Sequence, residues 1–305
     1  MRIQDLRGRL CMDAQISAAF NQFYELITPP RWKLEDGLTC ARAISNYMEN
    51  SRRWVEPYSF KKFRLIGSYA RATAIREFSD IDLMFEFESI AALGSLASRP
   101  LLVGVRDLLE RFVGPSIRIS EMQEVVQMEY PDGLLLDILP AVRGDSQNYL
   151  IPDGLNGWRV TAPDVQDGYF RRRDAISNIH LPEFTRGLKF WNAEHGGLVR
   201  SYHLESIVAQ LGPHLGNDYA MATHEAFQRL SGTVKITDPV GRQGELSGYL
   251  STVQREMIAA LCRASAAESF AALEAQASGD YKRALAAWAS VYGPLFPNNS
   301  LGEEV

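Results

Sequence analysis

The sequence predicts an α+β protein, with a mixed sheet and flanking helices in its first half and a helical lobe at its C-terminal end. Two segments, 61–66 and 80–87, alternate polar with apolar residues at the period of a half-buried strand. Segments 124–130 and 134–139 flank Pro131-Asp132-Gly133, the turn chemistry that closes a hairpin. From about residue 170 onward apolar residues recur every three or four positions, the period of a helix face.

The elements follow in order. Ile16, Phe20, Phe23 and Leu26 fall on one helical face across 13–26, and Pro29-Pro30 stops that pattern. A second helix over 36–48 carries Leu38, Ala41, Ile44 and Met48. Strands 61–66 and 80–87 then flank a Gly67-Ser68 turn, and a helix over 99–112 opens with Pro100, whose missing N–H costs nothing in a first turn. Residues 144–169 are rich in Gly, Pro, Asn and Asp and read as irregular connecting structure between two lobes. Beyond them, Phe184, Leu188 and Trp191 form one helical stripe, and Leu204, Ile207, Val208 and Leu211 another. Segments 242–276 and 279–292 are Ala-rich and amphipathic. The expected division is a catalytic lobe with the opening helix over 1–155 and a helical lobe over 156–305.

Composition excludes several classes. Across 305 residues, 46% hydrophobic and 23% charged residues make a folding chain rather than a disordered one. A formal charge of −5 argues against stable binding of duplex nucleic acid. Cys11, Cys40 and Cys262 lie far apart with no CxxC spacing, so no disulfide framework or zinc site is expected. The start MRIQDLRGRL lacks a signal peptide's apolar run, and no stretch reaches the 18 or so apolar residues of a membrane span. A soluble cytoplasmic protein with no membrane attachment is expected.

The chemistry concentrates in Gly67-Ser68, then Asp80-Ile81-Asp82, then Asp137. Aspartates at i and i+2 on a strand share a face, with Ile81, Leu83 and Phe85 on the other. Two carboxylates so close repel, and a fold that builds them in needs a cation between them; oxygen-only ligands select a hard ion such as Mg²⁺. Asp137 sits among Leu134, Leu135, Leu136, Ile138 and Leu139, a run too apolar for a charge without a partner. Three clustered carboxylates suit a two-metal site that stabilises the attacking and leaving oxygens of a phosphoryl displacement. Glycine lets the backbone approach closely, so the Gly67 turn and the Ser68 hydroxyl suit terminal phosphates. The plainer alternatives are solvated strand-edge carboxylates at Asp80 and Asp82 and a buried ion pair at Asp137.

GSYARATAIREFSDIDLMF resembles the G-S…S-D-I-D-L pattern of the cGAS/DncV-like nucleotidyltransferases, bacterial second-messenger synthases of anti-phage signalling, and LLLDILPAV resembles their third-aspartate strand. YLIPDGLNGWRVTAPD, LKFWNAEHGGLVRSYHLE and TDPVGRQG resemble their connecting segment, lysine-bearing helix with its Ser-Tyr-x-x-Glu helix start, and late Asp-Pro loop. The resemblance runs from about residue 60 to residue 295 and implies a nucleotidyltransferase (polymerase β-like) sheet. It makes Gly67 and Ser68 the triphosphate cradle, Asp80, Asp82 and Asp137 catalytic metal ligands, and Lys189 and Ser201 phosphate contacts. Ser201 also reads as a helix N-cap and Lys189 as a snorkelling lysine. Thr73 and Ser79 read equally as turn-stabilising hydroxyls. Ala162 stands where the family often has a polar residue near the base.

Other features carry less. Arg171-Arg172-Arg173 and Lys61, Lys62 and Arg64 read as solvated basic faces, and His180, His195, His203, His214 and His224 have no ligand spacing. Tyr149, Trp158, Tyr169 and Tyr202 could stack on a base, with core packing as the competing role.

Together these imply template-independent synthesis of a cyclic di- or trinucleotide from nucleoside triphosphates (ATP, GTP, UTP or CTP). Two Mg²⁺ ions, replaceable by Mn²⁺, would assist, with pyrophosphate released at each bond. A product-sensing effector and a regulatory protein are the implied partners. The alternatives are a nucleotidyltransferase acting on an RNA end or on a small-molecule or protein acceptor, and a nucleotide-sensing binding module. A scaffold using the polar tail Pro297–Val305 as its handle is a further one.

Overall fold

The computed structural model describes residues 3–51, 57–89, 96–113, 117–121 and 124–298, with the side chains of residues 3–13 excepted. The Cys11 side chain, the Arg52-Arg53 pair and most of the polar tail lie outside the described residues. Packing divides the chain into a sheet unit, 29–168, and a helical unit made of 1–28 with 169–305.

The sheet unit opens with α2 (Arg31–Asn50), the opening helix α1 (Ile3–Ile27) belonging to the other unit. Its strands are β1 (Tyr58–Leu65), β2 (Ile81–Ser89), β3 (Arg118–Glu121), β4 (Val126–Glu129), β5 (Leu135–Arg143), β6 (Tyr149–Pro152) and β7 (Trp158–Thr161). Between them lie the single turn α3 (Gly67–Ala70) and the helix α4 (Arg99–Phe112). Among the described residues these strands form one mixed sheet in the order β1-β2-β5-β4-β3, with β6 on β5 and β7 on β6. Among the described residues only the β2–β5 pairing is parallel, which requires a long crossover, and α4 lies within it.

The period-2 pattern decides the faces of the sheet. Ile81, Leu83 and Phe85 of β2, Val126 and Met128 of β4, and Leu136 and Ile138 of β5 are fully buried with Ala41, Ile44 and Met48 of α2 and Leu101, Val105 and Leu109 of α4. Asp82, Met84 and Glu86, with Asp137, Leu139, Ala141 and Arg143, therefore occupy the opposite face. There Met84, Leu139 and Ala141 pack with Ile66, Tyr149 and Ile151. Carboxylates stand at one end of this row, and Glu86 with Arg143 at the other.

Three differences from the sequence reading have identifiable physical causes. Residues 144–169 are not irregular: β6 and β7 form a hairpin whose turn is held by Asp153 Oδ1, accepting from Leu155 N (2.9 Å) and Gly157 N (3.0 Å). The helix expected from 242 starts at Thr252, in α9 (Thr252–Ser278), behind a Ser251–Gln254 capping box. Residues 242–250 are instead held in turns, with the buried Asp238 carboxylate accepting from Arg242 N and Gln243 N. The third difference is α1, expected with the sheet. Phe20 lies 5.1 Å from Trp288 and Phe23 4.8 Å from Tyr292, ring to ring, so its apolar face belongs to the helical core.

The helical unit continues from α5 (Pro163–Asp174), which straddles the division, to α6 (Leu181–Glu194), α7 (Ser201–Leu211), α8 (Tyr219–Gly232), α9 and α10 (Tyr281–Tyr292). Arg173 of the basic run donates to the carbonyls of Ala209 (2.7 Å) and Gln210 (2.9 Å), satisfying the C-terminal end of α7. Among the described residues no helix is long and apolar enough to cross a membrane.

Candidate active site

Strand β2 places Asp82, and the parallel register sets it directly beside Asp137 of β5. Register-paired residues share a face, so both carboxylates leave the sheet on the side away from α2 and α4. Asp80 stands two residues earlier, just outside β2 rather than within it as expected. Burial pushes the Asp80 carboxyl above its ordinary range and the charge of Asp137 adds to this, while Lys33 opposes it. Burial likewise pushes Asp137 up, against a hydrogen bond from Gln127. Tyr69 is pushed up to about 12 by burial and then by the charge of Asp80. These are desolvated carboxylates set close to one another, an arrangement that calls for positive charge.

The Gly67-Ser68 turn lies against the same carboxylates. Gly67 has φ +68, and a Cβ there would sit 2.0 Å from Asp82 Oδ2 and 2.9 Å from Asp82 Cβ, so only glycine fits. Ile66 N donates to the Asp82 carbonyl at 3.0 Å, tying the turn to the strand. Ser68 is buried, and its carbonyl accepts from Thr73 N at 2.8 Å. Ser79 Oγ accepts from Ile75 N at 2.9 Å. Thr73 Oγ1 also donates to the Ser68 carbonyl at 3.4 Å, so the Thr73 and Ser79 hydroxyls hold the loop together, which is the turn-stabilising role.

Two further residues reach this cluster from outside the motif. Lys33 of α2 donates to the Ser79 carbonyl at 3.0 Å, and Gln127 Nε2 of β4 donates to Asp137 Oδ1 at 2.9 Å. The period-2 pattern put Gln127 between the buried Val126 and Met128, but only the β4–β5 register shows which residue it faces.

As a donor set, Asp80, Asp82 and Asp137 fit a hard divalent cation: all oxygen, partly desolvated and mutually repelling. Among the described residues no three His, Cys, Asp or Glu side chains already form a closed ligand group.

Lys189 and Ser201 belong to the helical unit. Lys189 is buried on α6 with its Nζ 3.3 Å from Glu205 Oε1 of α7, and so it is an interior ion pair rather than a snorkelling lysine. Ser201 is exposed as the first residue of α7, the N-cap position being Arg200. The candidate base-stacking aromatics are engaged elsewhere. The Tyr149 hydroxyl accepts from Arg143 (2.6 Å) and Arg64 (3.1 Å), Trp158 Nε1 donates to the Leu96 carbonyl (2.8 Å), and the Tyr202 hydroxyl donates to Asp238 (2.7 Å). Tyr169 packs on the helical core.

A sequence model of the Second Messenger Oligonucleotide or Dinucleotide Synthetase domain matches residues 14–173, more than half of the chain and all of the carboxylate cluster. The chain belongs to this family. It is accordingly a nucleotidyltransferase, and its reaction class is cyclic oligonucleotide synthesis. A probable cyclic nucleotide synthase of Bacillus cereus strain VD146 is 24% identical over 296 residues, covering 84% of this chain and 88% of the relative. Escherichia coli MS115-1 CdnC, solved with ATP, superposes with a TM-score of 0.75 at 19% identity over 92% of this chain and 98% of that one. In complex with HORMA-deltaN it gives 0.74 at 20% identity, with the same coverage. Vibrio cholerae DncV, a cyclic AMP-GMP synthase solved with a linear intermediate, gives 0.62 at 13% identity over 98% of this chain and 92% of that one. The synthetase fold, a polymerase β-like mixed sheet with a helical C-terminal part, is shared by these proteins.

Proposed function

We propose that this synthetase joins ribonucleoside triphosphates, without a template, into a cyclic di- or trinucleotide at a site built on Asp80, Asp82 and Asp137. The observation that carries the reading is the register pairing of Asp82 with Asp137 beneath a turn whose Gly67 leaves no room for a side chain.

The three carboxylates would hold two Mg²⁺ ions, with Mn²⁺ able to substitute. When bound, these ions supply charge neutralisation at the phosphates and polarise the acceptor hydroxyl. The Gly67 backbone and the Ser68 hydroxyl would hold the terminal phosphates. The family resemblance assigns Lys189 and Ser201 as further phosphate contacts. The acceptor ribose oxygen forms a bond to the donor's α-phosphorus as the bond to the β-phosphate oxygen breaks. Pyrophosphate leaves with that electron pair, and Asp137 would take the hydroxyl proton. The last round closes the ring on the linear intermediate's own triphosphate, consistent with the linear intermediate in the Vibrio cholerae DncV structure. Positioning and charge neutralisation supply the rate, and no covalent nucleophile is needed.

The family implies a role in anti-phage signalling in the cytoplasm, with an effector that senses the product. A regulatory protein partner is supported by the E. coli CdnC complex with HORMA-deltaN. The test is to incubate the purified protein with all four radiolabelled ribonucleoside triphosphates and Mg²⁺ or Mn²⁺, treat with phosphatase, and identify the survivors by chromatography and mass spectrometry. A phosphatase-resistant cyclic species is expected from the wild type and none from Asp80→Ala. Synthesis retained in Asp80→Ala would overturn the metal assignment, and a label found only on an added RNA or small acceptor would overturn the cyclic product.

A further inference from the structure

We infer that Gln127 is a positioning residue for Asp137, holding one carboxylate oxygen so that the other is presented to the divalent cation. The inference rests on the reading of Asp137 as a metal ligand and adds a residue outside the family motif.

Strand β4 lies antiparallel to β5 with Gln127 directly opposite Asp137, and β2 lies on the other side with Asp82 in register. The three side chains therefore form a row across the sheet, Gln127, Asp137, Asp82, all on one face. At one end is an amide donor, with Nε2 2.9 Å from Asp137 Oδ1. The neighbours of Gln127 on β4, Val126 and Met128, are fully buried on the opposite face, so the backbone that carries the amide is anchored in the core.

The chemical identity of the donor matters. An arginine or lysine opposite Asp137 would neutralise the carboxylate and compete with a cation for it. A neutral amide fixes the orientation of the carboxylate and leaves its charge intact. That is what a ligand-supporting residue must do, and loss of such partners typically costs about 10–100-fold in metal affinity or activity.

The test uses the full-length protein with Gln127→Met, which keeps side-chain length and removes the donor, and Gln127→Asn, which keeps the amide one methylene short of Asp137. Mn²⁺ binding is read directly by electron paramagnetic resonance, and activity is measured as a function of Mg²⁺ and of ATP. Both variants are expected to melt close to the wild type, to bind Mn²⁺ about 10–100-fold more weakly, and to need correspondingly more Mg²⁺ for half-maximal activity. If Gln127→Met fails to fold, Gln127→Asn alone decides. Wild-type Mn²⁺ affinity in a folded variant overturns the inference. Asp137→Asn separates the two readings. Normal Mn²⁺ binding there overturns the metal assignment itself, whereas loss there with wild-type binding in the Gln127 variants overturns only the role of Gln127.

Discussion

Gly67 shows how a single residue controls the site. Its backbone adopts φ +68, and the space a side chain would fill is already occupied by the Asp82 carboxylate. Gly67→Ala therefore imposes two penalties at once: a left-handed conformation costing about 1–2 kcal/mol for a residue with a Cβ, and displacement of Asp82. The expected outcome is loss of synthesis by about 100-fold or more, since a catalytic group misplaced by 1 Å can cost that much, with the circular dichroism spectrum unchanged. Near-normal activity would mean that the turn is free to move away from Asp82. The motif Gly-Ser and the two aspartates of D-x-D were legible as residue types at a spacing. That Gly67 lies in contact with Asp82 was not, because fourteen residues separate them in the chain.

At the scale of elements, the far end of the carboxylate face is held by a network joining β1, β2, β5, β6 and α5. Glu86 is buried and takes Arg143 Nε at 2.8 Å, Lys62 stands 3.8 Å away, and Arg64 pairs with Asp164. Burial opposes ionisation of Glu86, but the hydrogen bond and charge of Arg143, with Lys62 and Tyr149, win, so its carboxyl lies below the ordinary 4.5. Asp164 is held below 3.8, first by its hydrogen bond from Arg64. Groups with depressed folded values stabilise the fold above their unfolded pKa, and that stability is lost as pH falls through the folded value. Melting temperature should therefore drop as pH falls below about 4.5. Glu86→Gln should lower stability by about 1–3 kcal/mol at neutral pH, toward the low end because Arg143 keeps contact with water. Its melting curve should converge on the wild type in acid, and parallel curves would show that Glu86 is not the titrating group. Lys62 and Arg64 read in sequence as a solvated basic face; the register of β1 on β2 sets Lys62 opposite Glu86, and Arg64 finds its acidic partner in Asp164 of α5.

At the scale of the whole molecule, the division of the chain is set by the aromatic face of α1. Phe20 contacts Trp288 and Phe296, and Phe23 contacts Phe190, Tyr292 and Phe296, all within the helical unit. Phe20→Ala should cost about 3–5 kcal/mol, measured by denaturant unfolding followed through tryptophan fluorescence. A cost below about 1 kcal/mol would place α1 outside that core, in line with the boundary near residue 155 that composition suggested. The helical periodicity of α1 was plain in Ile16, Phe20 and Phe23, but periodicity reports only that a face is apolar and is silent on what covers it.

By itself, then, the sequence determined the classes of structure and chemistry. Period-2 and period-3.6 patterns are local consequences of backbone geometry, and Gly-Ser, D-x-D and a carboxylate in an apolar run carry their chemistry in the residue types. Only the tertiary structure decided the rest: the β6–β7 hairpin inside a stretch that looked irregular, the pairing of Lys189 with Glu205, and Gln127 opposite Asp137. Each of those depends on strand register or on packing between residues distant in the chain. Composition and spacing cannot encode such partners one residue at a time, because a partner is chosen by the fold as a whole.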